Sequence, residues 1–289
     1  MGKSDIEAST GESSARGYPT WAAQKLNHLI DDLERAALAT NQNESNPRQQ
    51  EAHSGNRPRW LACSLHLFQT HAALRAAAYE VYIPTLLSVS NSRPPTADLN
   101  TDTEVVKNFV TKLADEGHNI VVILHSYSGQ AGKIGGVAHL VYMCASASLE
   151  GVSMIDKIKG FGHMELMPLA FDFAEDGSRV VAASKVTMIG EGIPEEEAEA
   201  YIDTFLRWNG KCMYQPISRA AWREIPLSYI YTINDMTIPL VYQKSMVEAI
   251  EKEGCHVDTY ELQTGHYPNL TPTNGVVDII EKVTANVQT

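Results

Sequence analysis

The chain has 289 residues, 44% of them hydrophobic and 20% charged, a composition able to bury a sizeable core. Its 23 lysines and arginines face 35 aspartates and glutamates, a formal charge of −12 that repels phosphate backbones and anionic lipid, so no nucleic-acid and no membrane partner is expected. The four cysteines, Cys63, Cys144, Cys212 and Cys255, are dispersed and form no C-x-x-C pair, so neither a metal site nor a disulfide framework is expected. No apolar run approaches the ~18 residues of a membrane span, and the N-terminus lacks the apolar core of a signal peptide, which makes the cytoplasm the default location.

Residues 1–57 are rich in Ser, Asn, Gln, Glu and Gly and read as a loosely ordered polar extension. Within it Trp21, Leu26, Leu29, Ile30, Leu33 and Leu38 recur at helical spacing and predict an amphipathic helix near 19–38. From 58 to 289 the pattern becomes alternating strands and helices, the mark of a mostly parallel sheet covered on both faces. Val81-Tyr82-Ile83 is a predicted strand ended by Pro84. Thr103 is a candidate cap for a helix whose Val105, Val106, Phe109, Val110 and Leu113 share a face, with Gly117 as its stop.

Ile120-Val121-Val122-Ile123-Leu124 is a continuous apolar run typical of a central parallel strand, and 139–144 and 227–232 predict two more. Between them, residues 150–218 carry scattered Met, Phe and Trp and an acidic helical start at Pro194-Glu195-Glu196-Glu197, with no clear strand series. They read as an inserted helical cap. Pro239 then opens a helix that Gly254 closes, 256–262 is a strand, and Thr271-Pro272 starts the last helix.

The chemistry-bearing stretch is Leu124-His125-Ser126-Tyr127-Ser128-Gly129, directly after the apolar strand. A nucleophilic serine needs its oxygen held out on a sharp strand-to-helix turn, which G-x-S-x-G provides through small residues two positions either side. Here those positions are Leu124 and Ser128, so the motif is degenerate, and a polar turn at a strand end would look the same. A serine hydroxyl also needs a histidine to take its proton and a carboxylate to orient that histidine. Asp235 follows the strand 227–232, and His266 follows the last predicted strand, in the order Ser, Asp, His. All three stand where ligands bind in open α/β sheets, at C-terminal strand ends.

Through H-S-Y-S-G at 125–129, H-L-V-Y-M-C-A at 139–145, D-x-x-I-P at 235–239 and G-H-Y-P at 265–268, residues 76–289 resemble the α/β-hydrolase superfamily. The likeness is to its small esterase and hydroxynitrile-lyase-like branch. It implies the α/β-hydrolase fold, with Ser126 as nucleophile, His266 as general base and acid, Asp235 fixing the imidazole, and the Tyr127 N–H as an oxyanion donor. His125 is read as a packing or pocket residue rather than a second base. His163 and Met164 are candidates to line a substrate pocket, surface exposure being the alternative for His163. Met154, Met167 and Phe171 read as cap packing that can double as an apolar wall.

Two departures stand out. The stretch 59–69 has neither the glycine nor the proline of the loop that completes the family's oxyanion hole. Only residues 130–137 separate the Ser126 turn from the next strand, too few for an α crossover of about 10–12 residues. The expected function is cofactor-free hydrolysis of an ester, lactone or thioester of a small apolar molecule, with an impaired enzyme among the outcomes. The rivals are a weak or inactive small-molecule binding protein and a lyase using the same triad. The partner expected is that small molecule, and the sequence allows a homodimer.

Overall fold

A computed structural model of the chain describes residues 59–62, 68–130, 136–182, 184–190, 192–268, 270 and 274–287. The extension expected over 1–57, its helix near 19–38 and Cys63 lie outside the described residues.

In chain order the elements are β1 (Arg59–Ala62), α1 (Phe68–Ala76), β2 (Val81–Tyr82), α2 (Leu99–Asp115), β3 (Ile120–His125), a 3-10 turn (Ser126–Gln130) and β4 (Val137–Met143). The inserted segment follows, with α3 (Met154–Gly160), α4 (Met167–Ala170), β5 (Phe171–Phe173), β6 (Ser178–Val181), α5 (Glu195–Ile202) and β7 (Trp208–Asn209). The chain then completes β8 (Leu227–Thr232), α6 (Leu240–Lys252), β9 (Val257–Leu262) and α7 (Asn274–Val287). No helix among the described residues is long and apolar enough to cross a membrane.

Strands β2-β1-β3-β4-β8-β9 form one sheet, parallel throughout. The run 120–124 is apolar without alternation because β3 is covered on both faces. Ile120, Val122 and Leu124 pack with Val106 and Val110 of α2 and Met246, Val247 and Ile250 of α6. Val121 and Ile123 pack with Leu74 of α1 and Val276, Ile279, Ile280 and Val283 of α7. The core is therefore two apolar layers, one on each face of the sheet.

Two expectations are corrected. Helix α2 starts at Leu99, not after Thr103: the Asp98 side chain accepts from the N–H groups of Asn100 and Thr101, and the Thr101 hydroxyl closes a capping box. Thr103 lies one turn inside, its hydroxyl donating to the Leu99 carbonyl. The segment between β4 and β8 is not purely helical either. Strands β5, β6 and β7 form a three-stranded antiparallel sheet. Its strands have two to four residues, too short to register as a period-2 pattern in sequence.

Candidate active site

Ser126 begins the turn after β3 with φ +55°, a left-handed conformation that a non-glycine residue holds only when its surroundings enforce it. The enforcement is visible. The Ser126 carbonyl accepts from the Ser146 N–H at 2.9 Å, and the Ser128 hydroxyl donates to the His125 carbonyl at 2.8 Å. At Gly129 an added β-carbon would lie 2.4 Å from the Ser146 carbonyl oxygen, so only glycine allows this approach. The close backbone contact thus falls at Gly129, one residue after the position where the family pattern has its second glycine.

The imidazole of His266 is within 2.9 Å of Ser126 Oγ through Nε2 and within 2.8 Å of Asp235 Oδ2 through Nδ1. Geometry assigns the tautomer: Nδ1–H donates to the carboxylate, and Nε2 accepts from the serine. His266 has no exposed surface and Asp235 is 3% exposed. The carboxylate is fixed by donors of its own. Asp235 Oδ1 accepts from the N–H groups of Thr237 and Ile238, both at 2.8 Å, and Oδ2 accepts from the Thr232 hydroxyl at 3.0 Å. The D-x-x-I-P sequence is therefore a loop folded around its own aspartate. Such an arrangement can move a proton from the serine to the imidazole and hold the resulting imidazolium beside a fixed negative charge.

His125 stands behind the site. Its Nε2 donates to the His266 carbonyl at 2.8 Å, and the Cys144 thiol donates to the same oxygen at 3.3 Å. His125, Cys144 and His266 bring potential metal-ligand atoms within 4.8 Å of one another. His125 Nε2, the Cys144 thiol and both ring nitrogens of His266 are already engaged with the His266 carbonyl, Asp235 and Ser126, and burial pushes the Cys144 thiol well above its usual range, away from the thiolate a metal would need. The cluster reads as scaffold for the histidine loop.

Tyr127, whose backbone N–H follows Ser126, is anchored by its side chain. Its hydroxyl donates to Asp102 Oδ2 at 2.9 Å, and its ring lies 4.4 Å from that of Trp208. Asp102 also accepts from the Ser88 N–H at 3.0 Å and the Ser88 hydroxyl at 2.5 Å. Neither Asp102 nor Trp208 carried a motif that sequence reasoning could use. Residues 63–67, which follow β1 and where a further oxyanion donor would belong, lie outside the described residues.

A cavity of about 580 Å³ opens over Ser126 and is lined by His125, Met154, His163, Met167, Phe171 and Trp208, among other mostly apolar side chains. His163 is held by a 2.6 Å hydrogen bond between its Nδ1 and the Tyr242 hydroxyl. Met164 does not line the cavity. It sits on a 3-10 turn (Met164–Leu166) from which Leu166 and the following Met167, but not Met164, reach the lining, and Met164 is 37% exposed. Arg179, also in the lining, was not anticipated, because one arginine in Ser178-Arg179-Val180-Val181 looks like an ordinary solvated strand residue.

A match to the alpha/beta hydrolase family spans residues 52–279. The chain belongs to that family. It is 25% identical over 224 residues to Probable hydrolase R7 of Phoma sp., covering 74% of this chain and 90% of the relative. It is 28% identical over 223 residues to Alpha/beta hydrolase nvfD of Aspergillus novofumigatus, covering 72% and 86%. Among solved structures, a pyrethroid hydrolase from Sphingobium faniae superposes with a TM-score of 0.60 at 19% identity, covering 78% of this chain and 96% of that one. Polyneuridine aldehyde esterase does so with a TM-score of 0.62 at 14% identity, covering 79% and 99%. At such identities the structural likeness establishes the fold alone. Fold, family and hydrolase-named relatives together make the chain a hydrolase of the α/β type.

Proposed function

We propose that the chain is a serine hydrolase that cleaves an ester, lactone or thioester of a small, largely apolar molecule. The observation carrying this reading is the unbroken hydrogen-bonded run from Asp235 through His266 to Ser126 beneath an apolar cavity. In the reaction Ser126 Oγ attacks the carbonyl carbon while His266 Nε2 takes the hydroxyl proton. Collapse of the tetrahedral intermediate expels the alcohol or thiol, which His266 protonates. Water then attacks the acyl-enzyme with His266 again as base, releasing the acid and restoring Ser126. The Tyr127 N–H stabilises the oxyanion, and its anchorage on Asp102 and Trp208 keeps that donor aimed. The pyrethroid hydrolase and the esterase among the structural neighbours are in keeping with this chemistry.

One feature favours slow turnover. Ser126 leads into a five-residue 3-10 turn, and the six residues 131–136 between that turn and β4 are fewer than the ~10–12 of a full α crossover, whose N-terminus would support the oxyanion. Loss of one oxyanion donor costs about 10²–10³ in turnover, whereas loss of a triad member costs up to ~10⁶, so a working triad with a reduced hole stays above background.

The test is hydrolysis of short-chain aryl esters by wild type, Ser126→Ala and His266→Ala, with labelling by a fluorophosphonate. Wild type is expected to turn over slowly and take the label at Ser126, and both variants to lose at least 10³-fold in kcat. Activity unchanged in Ser126→Ala removes this serine from the mechanism. A folded wild type that binds apolar ligands yet neither turns over nor labels makes the chain a binding protein.

A further inference from the structure

Arg179 is among the largest fully buried side chains of the described structure, at 1% exposure, and it lines the cavity over Ser126. Its guanidinium carbon lies 3.9 Å from the ring centroid of Phe171 on β5 and 3.9 Å from that of Trp208 on β7. Rings from both flanking strands therefore hold it by cation–π contact. Its Nε and Nη1 have no hydrogen-bond partner among the described residues.

The groups acting electrostatically on Arg179 are Cys212, Tyr214 and Tyr127, none of them a carboxylate. Burial pushes Tyr127 far up and raises Cys212, so neither supplies negative charge near neutrality. The nearby cap acids are engaged elsewhere: Asp172 with Arg207 at 3.3 Å, and Asp176 with Arg93 at 2.5 Å. Burial lowers Arg179 only to about 9, so at pH 7 it is still a cation.

A buried cation without a counter-charge is costly, and buried polar atoms in native proteins are rarely left unpaired. Two aromatic faces offset part of that cost but supply neither hydrogen-bond acceptors nor a formal charge. The missing partner must therefore enter through the cavity, where Ser126 also opens.

We propose that Arg179 is a specificity-determining residue that binds a carboxylate on the substrate, so the preferred substrates are half-esters: molecules with one ester group at Ser126 and a free carboxylate at the cap sheet. Most of the cavity's lining side chains are apolar, with Lys157 and His163 among the exceptions, fitting a hydrocarbon or aromatic spacer. A guanidinium binds such a carboxylate with charge-assisted hydrogen bonds that a neutral ester cannot form. The proposal rests on the serine-hydrolase reading for the ester end, while the arginine end is testable without turnover.

Two measurements decide it. In Ser126→Ala protein, titrations would follow tryptophan fluorescence or heat with 4-phenylbutyrate and with neutral 4-phenylbutyramide. The carboxylate is expected to bind at least tenfold tighter, and Arg179→Met in that background is expected to abolish the preference, with Arg179→Lys restoring part of it. In the active enzyme, the kcat/KM ratio for monomethyl adipate over dimethyl adipate is expected to fall at least tenfold in Arg179→Met.

Equal binding of the two phenyl ligands by Ser126→Ala overturns the proposal without needing any arginine variant to fold. A kcat/KM ratio unmoved in a folded Arg179→Met also overturns it and leaves Arg179 as a structural cation between two rings. Absence of hydrolysis in every variant would count against the hydrolase reading, while the binding preference would still decide the role of the arginine.

Discussion

Gly129 sits where the turn after Ser126 presses against the backbone following β4, and its missing β-carbon is a steric requirement of that approach. The opposing atom at 2.4 Å is a main-chain oxygen, which cannot swing away as a side chain would. Gly129→Ala must therefore displace the turn, stretch the contact between the Ser146 N–H and the Ser126 carbonyl, and move Ser126 Oγ from His266. We expect a loss of about 2–4 kcal/mol of stability and at least 10²-fold in kcat for aryl esters, read by thermal melts and steady-state kinetics. A variant with wild-type Tm and kcat would show that the turn is slack. Residues of this kind are half legible: the glycine is evident in H-S-Y-S-G, but which neighbour it must approach depends on a backbone segment 17 positions away.

Gln243 does at the level of elements what Gly129 does at one atom. From α6 its amide oxygen accepts from the Thr232 N–H at 3.1 Å, and its amide nitrogen donates to the carbonyls of Thr232 at 3.1 Å and Ile238 at 2.7 Å. It joins the end of β8, the loop around Asp235 and the first turns of α6, and it has no exposed surface. The same loop is tied to the cap by the Thr237 hydroxyl, which donates to the Thr187 carbonyl at 2.9 Å. Gln243→Leu keeps the volume but leaves three buried backbone groups without this partner, each worth about 1–3 kcal/mol when orphaned. The expected result is a drop in Tm of several degrees with a parallel fall in kcat, because Asp235 loses its frame. Loss of stability with kcat intact would mean that the loop holds its shape alone. A glutamine inside a predicted amphipathic helix gives no sign in sequence that it faces inward.

Across the whole molecule, stability should depend on pH through the docking of α1 on the sheet. His71 of α1 is 1% exposed, and neither ring nitrogen has a hydrogen-bond partner among the described residues. Burial, aided by the charge of Arg75, lowers its pKa from 6.5 to about 4. The unfolded chain thus takes up a proton near pH 6.5 that the folded chain refuses until about pH 4. Stability from this group is complete above pH 6.5, declines as pH falls, and is lower by about 3 kcal/mol below pH 4. Melting curves at pH 7 and pH 4.5 are expected to show a larger drop for wild type than for His71→Phe. Equal drops would place the acid sensitivity elsewhere.

From the sequence alone came the fold class and the order of Ser126, Asp235 and His266, because these rest on local signals. An unbroken apolar run marks a strand buried on both faces, and a polar residue just past its end marks the sheet edge where ligands gather. Even the brace on Asp235 was latent in D-x-x-I-P, since Thr237 and Ile238 lie two and three residues beyond it. Tertiary structure alone decided the three-stranded sheet of the cap, the capping of α2 by Asp98 rather than Thr103, the inward seat of Gln243, the place of Met164 outside the cavity lining and the buried cation at Arg179. The physical reason is common to these: strands too short to show a period, competing local caps, and polar side chains whose burial depends on partners distant in the chain. Arg179 meets Trp208 only after β6 and β7 pair across the cap, and no pattern within either strand announces the contact.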